Sequence, residues 1–402
     1  MSEWVSKTLG DLERESGGAI QTGPFGSQLH MSDYSKTGTP VVMPTNIRDL
    51  RIDPTGIARV GEDHVERLAR HKLRVGDIVY SRRGDIEKFA LISDNEDGWL
   101  CGTGCLLVRV NGPQLDARFL SYALALPQTR AWISQHAVGA TMPNLNTEIL
   151  REVPVRVPSI NAQSVIAATL GALDDKIKSN RRAIDVIQGI SRATFSQWRA
   201  EVVVTETSSF GEFADVFGGA TPKTAVAGYW GGALEWTTPT DVTGLTAPYL
   251  FDTSRKITEL GLQSCTAVMH PVGTIFMTSR ATIGAFAINQ IPAATNQGFI
   301  AVRPRQDADR FFLFEEMRSR VDEFLDNANG STFLEISRGR FKQLPLELPA
   351  YEEITRLSER LQPLHSKAAQ LASEAERLGA LRDVLLPELL SGRISATPEP
   401  VE

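Results

Sequence analysis

Two long stretches of the chain carry the same spacing of apolar side chains. After Pro158 they fall at Ile166, Leu170, Leu173, Ile177, Ile184 and Ile187, with Asn180 in the same register. After Pro349 they fall at Ile354, Leu357, Leu361, Leu364, Ala368, Leu371, Ala375 and Leu378. The steps alternate between four and three residues, which is the spacing of a coiled-coil seam. The stretches superpose at an offset of 191 residues, with Ile166 on Leu357, Leu173 on Leu364 and Ile187 on Leu378. Each predicts a helix of about 40 residues, roughly 60 Å long at about 1.5 Å per residue. A helix of that length cannot bury its seam alone. The two are expected to pack on each other antiparallel, because the chain must run out and back between them. Asn180 costs stability inside a seam, and either fixes its register or marks a point of fraying. Pro363 predicts a kink, or the true start of the second helix. Two ordinary amphipathic helices, each packed on its own domain, are the alternative.

Upstream of each helix the period of the pattern drops to two. Val153–Val157 and Leu344–Leu348 alternate apolar with other residues, as half-buried strands do. The prolines among them predict edge positions. Correspondence extends back through both halves. Gly76–Leu91 aligns with Gly273–Ile288, sharing Ile78/Ile275, Arg83/Arg280, Ile86/Ile283 and Phe89-Ala90/Phe286-Ala287. Pro44–Ile47 matches Pro239–Val242, Gly104 with Val108-Arg109 matches Gly298 with Val302-Arg303, and Gly139–Thr141 matches Gly330–Thr332. The offsets lie between 191 and 197, and the blocks keep their order. The chain is therefore two diverged copies of one unit. Ile78–Tyr80 with Phe89–Ile92, and Ile275–Met277 with Phe286–Ile288, read as strand pairs joined by an Arg-bearing turn.

These patterns predict an α+β fold. Two mixed α/β domains are joined by two long antiparallel coiled-coil helices, in a pseudo-twofold internal repeat. The expected boundaries are 1–158 for the first domain, 159–198 for the central helix, 199–349 for the second domain, and 350–402 for the C-terminal helix and tail.

Composition narrows the function. With 42% hydrophobic and 22% charged residues, the chain is globular in character, not disordered. A net charge of −6 excludes a uniformly basic nucleic-acid binder but not local basic surfaces. The first residues lack an apolar signal core, and no run approaches the length of a membrane span, so a cytoplasmic protein without a membrane partner is expected. Cys101, Cys105 and Cys265 are too few for a disulfide framework. The Cys101/Cys105 pair has no His or second pair nearby to complete a zinc site, so no metal is expected. No phosphate loop, dinucleotide fingerprint, zincin helix or nucleophile elbow occurs. His64 and His71 lie in a charged stretch that reads as a solvated helix face. No catalytic residue is assigned; a metal-free hydrolase assembled from distant residues is the enzymatic reading that spacing leaves open.

Binding chemistry, by contrast, recurs at matched places. The first copy's Arg-bearing turn holds Ser81, Arg82, Arg83 and Lys88; the second copy's holds Ser279, Arg280 and Thr282. A second loop carries Thr45, Asn46 and Arg48 in one copy, with Thr240 and Asp241 in the other. A third carries Thr141 and Asn144, matched by Thr332, and Arg338, Arg340 and Lys342 cluster after it. Arginine bonds guanine bidentately in the major groove, while hydroxyls and amides hold phosphates. Residues 40–92 carry two more basic than acidic side chains, whereas 351–402 hold six basic against nine acidic. Part of the acidic excess thus lies away from these loops, which are the candidate DNA-binding residues.

Three motifs then resemble one family, the specificity (S) subunits of type I restriction–modification systems, or HsdS family. Tyr229–Trp236 followed by Thr237–Asp241 is similar to its Y-W-x-G-x-I-x-W-x-T-P-x-D stretch. Arg83–Ile86 and Arg280–Gly284 are similar to its R-G-T-I-G turn, and Leu385–Ile394 to its L-L-x-x-L-L-S-G-K-I ending. The first copy departs from the pattern. It has Gly23–Ser27 but no Y-W-x-G equivalent, and Asp85, Glu87 and Lys88 stand where the second has Thr282, Gly284 and Ala285. The resemblance implies two target recognition domains, each reading one half of a split, gapped site in double-stranded DNA. It implies helices that set the gap and dock two methyltransferase (M) subunits, which restriction/translocase (R) subunits join. It implies no cofactor in this chain, with S-adenosylmethionine, ATP and Mg on those partners. The adenine methyltransferase tetrapeptide N/D-P-P-Y/F is absent, which fits a non-catalytic subunit. The rival is a coiled-coil adaptor whose paired domains bind protein or another ligand.

Overall fold

The seam spacing becomes two unbroken helices, Ile160–Glu201 and Tyr351–Ser391. The structure is a computed structural model that describes residues 4–395 apart from 49, 111, 140–142 and 331–333. Pro363 lies exposed within the second helix and does not start it. Ile166, Leu170, Ile177, Ile184, Leu357, Leu361 and Leu371 are buried, and Leu173, Ile187, Leu364 and Leu378 half-buried.

The chain divides into two units, residues 1–175 with 379–402 and residues 176–378. Both divisions fall inside the long helices, so each unit contains a piece of each. Within the second unit, Asn180 Nδ2 donates to the Leu371 carbonyl at 3.3 Å and to Glu374 Oε2 at 2.8 Å. Further along the first helix, and further back on the second, Ser191 Oγ meets His365 Nε2 at 3.0 Å. One number rises as the other falls, so the helices are antiparallel. Asn180 is a register-fixing contact, not a frayed point. Within the first unit, Arg382 Nη1 donates to Asp174 Oδ1 at 2.9 Å, and Leu389 and Leu390 share a core with Ile166 and Leu170.

Both units share a plan of three sheets, to which the first adds the short pair Ile47–Arg48 with Arg51–Ile52. The main sheet of the first runs Ala19–Thr22, Cys105–Arg109, Ile78–Ser81, Phe89–Leu91, antiparallel throughout. Its counterpart runs Asp215–Gly218, Phe299–Arg303, Ile275–Thr278, Phe286–Asn289, with Tyr249–Leu250 added parallel at the edge. Ile78–Ser81 and Ile275–Thr278 are buried at every position, which is why they read as continuous apolar runs and not as alternating ones. A second sheet sets Leu100–Cys101 parallel to Thr39–Val42, which is antiparallel to Ala58–Val60. The other unit repeats it with Ala293–Thr295, Trp230–Thr237 and Arg255–Ile257. Third come the pairs Val5–Thr8 with Pro154–Val157 and Val204–Ser209 with Pro345–Pro349. Every strand in a two-stranded pair is an edge, so the prolines there sacrifice no ladder bond.

The second core is rich in phenylalanine: the Phe210 ring stacks on Phe341 at 4.6 Å and meets Phe324 edge-on at 6.1 Å. His71 is not on a solvated face. It is buried, and burial together with the Arg70 charge pushes its pKa down to about 4. Cys101 and Cys105 are buried free thiols, and burial pushes Cys101 up to about 12. Among the described residues no cluster of metal-ligating side chains occurs, and no helix is long and apolar enough to cross a membrane.

Candidate nucleic-acid interface

In each unit, backbone hydrogen bonds tie sequence-distant loops together at one end of the main sheet. In the first, Arg82 N donates to the Gly104 carbonyl at 2.8 Å, Leu145 N to the Arg82 carbonyl at 2.8 Å, and Gly84 N to the Pro143 carbonyl at 3.2 Å. In the second, Ser279 N donates to Gly298 at 2.8 Å, Ile336 N to Ser279 at 3.1 Å, and Ala281 N to Leu334 at 3.1 Å. The Pro44–Asn46 turn joins the group. A Cβ added to Gly104 would stand 3.3 Å from Pro44 Cγ, and one on Gly298 would stand 3.1 Å from Pro239 Cγ. The same four-segment cluster is thus built twice, at offsets that change from segment to segment.

Availability sorts the candidate side chains. Arg83 is exposed and has no ion pair among the described residues. Arg280, 45% exposed, pairs with Glu335 at 2.9 Å; Arg48, 70% exposed, pairs with Asp53 at 3.4 Å. Lys88 pairs with Asp85 at 3.1 Å, and the Arg340 Nε donates to Asn327 Oδ1 at 2.9 Å. Thr45, Thr240, Thr282 and Arg338 are exposed, while Arg82, Asn144 and Lys342 are half-buried. Thr141 and Thr332 lie outside the described residues.

Four candidates are turned into their own loops rather than displayed: Asn46, Ser81 and Ser279 are buried, and Asp241 is half-buried. Asn46 is buried, its Oδ1 accepting from Met43 N at 3.0 Å and its Nδ2 donating to the Asp53 carbonyl at 3.2 Å. Ser81 and Ser279 are buried, and Ser81 Oγ donates to the Arg83 carbonyl at 3.1 Å. Asp241 accepts from Thr238 N at 2.7 Å and Ser254 N at 3.0 Å. Burial works to raise its pKa, and these bonds outweigh that and hold the carboxyl below its usual range.

One exposed cation escaped the sequence reading. The Arg255 guanidinium lies 3.7 Å from the Trp230 ring centroid and 5.4 Å from that of Trp236. The stack arises because the Arg255–Ile257 strand pairs with Trp230–Thr237. A flat cation displayed on an aromatic face suits stacking on bases or contact with phosphate.

Comparison with known proteins agrees with this duplicated geometry. The chain aligns with the MjaIX type I restriction enzyme specificity subunit of Methanocaldococcus jannaschii at 36% identity, over 35% of this chain and 33% of that protein. It aligns with the HindI type I restriction enzyme specificity subunit of Haemophilus influenzae at 19% identity, over 98% of this chain and 100% of that protein. The crystal structure of a type I restriction-modification system S subunit from M. genitalium shares the fold at a TM-score of 0.62 and 17% identity, covering 100% of this chain and 97% of that one. A family profile described as the type I restriction modification DNA specificity domain matches residues 1–188 and again 204–377. Matched once over each copy, the chain belongs to the type I restriction-modification DNA specificity family.

Proposed function

We propose that this chain is the non-catalytic specificity subunit of a type I restriction–modification complex, and that each unit reads one half of a bipartite DNA site. The observation that carries this is the duplicated loop cluster. Both units present Arg-bearing turns, Arg83 in one and Arg280 in the other, on equivalent hydrogen-bonded frames. Rigid frames with a few outward cations suit base-edge contacts, which specify, alongside phosphate contacts, which position.

The long helices set the unread gap between half-sites, as protein geometry sets half-site spacing in dimeric readers. Their continuity from one unit into the other supports this role. Two methyltransferase subunits dock on the helices, and restriction/translocase subunits join that core in the cytoplasm. S-adenosylmethionine, ATP and Mg belong to those partners, which carry the chemistry, including extrusion of the adenine to be methylated.

The test is co-expression with the cognate methyltransferase subunit, followed by methylome sequencing. Methylated adenine in a two-part, gapped sequence is expected. A contiguous target, or no methylation by an assembled complex, overturns the proposal.

A further inference from the structure

The two copies part company at one cavity. In the first unit a cavity of about 310 Å³ opens beside the Arg83 turn, with Asp85, Glu87, Lys88 and Arg130 around Ile47 and Phe89. Arg130 stands on the helix Pro127–His136. Its Nε is buried without a hydrogen-bond partner, and its guanidinium has no ion pair among the described residues. The buried Tyr80 hydroxyl, within reach of the Arg130 charge, has no partner either. Glu87 is held in place, with Ser134 Oγ donating to its Oε1 at 2.5 Å. Lys88 and Asp85 satisfy each other at 3.1 Å.

The second unit keeps none of the charged members of this group, nor the tyrosine. Met277 stands for Tyr80, Thr282 for Asp85, Gly284 for Glu87 and Ala285 for Lys88. The offset of 191 that places Ile133 on Phe324 and Ala137 on Ala328 places Arg130 on Val321. A Cβ on Gly284 would lie 2.6 Å from Val321 Cγ1, so backbone and valine are close-packed where the first unit keeps a polar cavity. A half-buried guanidinium without a partner disfavours folding. Its presence in one copy, together with a cavity, points to a partner from outside the chain.

The lining chemistry selects that partner. A phosphate would be repelled by Asp85 and Glu87. In the major groove, arginine donates bidentately to guanine O6 and N7, and a carboxylate accepts from cytosine N4. Arg130 and Glu87, which line the cavity, offer both. We infer that Arg130 and Glu87 together read one G·C base pair in the half-site bound by the first unit. This rests on the DNA-reading assignment above.

The experiment uses the full chain assembled with its methyltransferase subunit and compares the methylomes of wild type, Arg130→Gln and Glu87→Gln. The wild-type motif should require G·C at one position of one half-site. Arg130→Gln should relax that requirement about tenfold or more, leaving the other half-site unchanged. Glu87→Gln retains an acceptor for Ser134 and should relax the same pair; if Arg130→Gln fails to assemble, this variant decides alone. An unchanged motif, relaxation in both half-sites, or uniform loss with the motif kept, as a phosphate contact gives, overturns the inference. A wild-type complex without a gapped motif overturns the DNA-reading assignment instead.

Discussion

Asn180 and Glu374 meet at 2.8 Å across the paired helices of the second unit, while the same amide also donates to the Leu371 carbonyl. Sliding either helix would set this buried amide against apolar side chains, so the pair rewards one register. Asn180→Ala should cost about 1–2 kcal/mol through the lost bonds, seen as a lower Tm. Asn180→Leu should hold or raise the Tm while admitting alternative registers, visible as broadened spin-label distances between the helices. An unaltered Tm in the alanine variant would contradict a register-fixing role.

Glu315 is the hub of a second buried contact in that unit. Ser191 Oγ donates to its Oε1 at 2.7 Å, Arg318 lies at 3.4 Å, and His365 Nδ1 meets the Tyr249 hydroxyl at 3.0 Å. Burial works to raise the Glu315 pKa, but the His365 hydrogen bond and the Arg318 charge prevail and hold it below the ordinary value of 4.5. A depressed carboxyl stabilises the fold above its unfolded pKa, and that contribution fades as pH falls through the folded one. Wild type should therefore exceed Glu315→Gln by about 1–3 kcal/mol at neutral pH. Melts taken from pH 7 down to pH 3 should show the gap narrowing below the usual glutamate range; a gap that widens would refute the sign.

The first unit has its own buried ion pair. Arg109 Nε and Nη2 donate to the two oxygens of fully buried Asp77 at 2.9 and 2.6 Å. Asp77→Ala leaves the arginine desolvated and unpaired, and should cost about 3–5 kcal/mol. Limited proteolysis should find the first unit cut before the second. Equal sensitivity of both would argue against a local effect.

Arg280, 45% exposed, holds Glu335 through its Nε at 2.9 Å. Arg280→Ala should relax or weaken reading of one half-site only, scored by methylome sequencing. Loss at both halves would refute independent reading by the two units.

With a net charge of −6 the isolated chain lacks the broad cationic surface that neutralises many phosphates at once. Its own affinity for the gapped duplex should be weak and should fall steeply as salt rises. Tight, salt-insensitive binding by the chain alone, measured by fluorescence anisotropy, would be inconsistent with that expectation.

The helices were legible because a heptad seam is a local code: the four-three spacing from Ile166 to Ile187 needs no knowledge of the partner. The repeat was legible because glycines and buried strand residues such as Ile78 and Ile275 keep their type under divergence. Polar seam positions were not. Ser191 and His365 occupy the interface, yet their partner Glu315 is distant in sequence and on another helix. Among the loops, residue type cannot tell an outward side chain from one turned into its own turn: Ser81 and Asn46 are buried, while Arg83 is exposed. Arg130 lay hidden on a helix, since only the fold brings it to Glu87.

The division of the chain also dictates an order of events. Leu389 and Leu390 are 5% and 4% exposed in the core that holds Leu9, Phe119 and Ile166, and Gly392 packs on Trp4. The unit whose strands leave the ribosome first is thus completed by a segment made after residues 176–378. At about 5–20 residues per second, those intervening residues take about 10–40 s to synthesise. During that interval the nascent first unit has an apolar groove still waiting for its last helix turns, while the second unit can close entirely from contiguous chain. Of the two units, the one translated earlier is sealed later, and a ribosome that stalls between them would leave one finished unit and one open one.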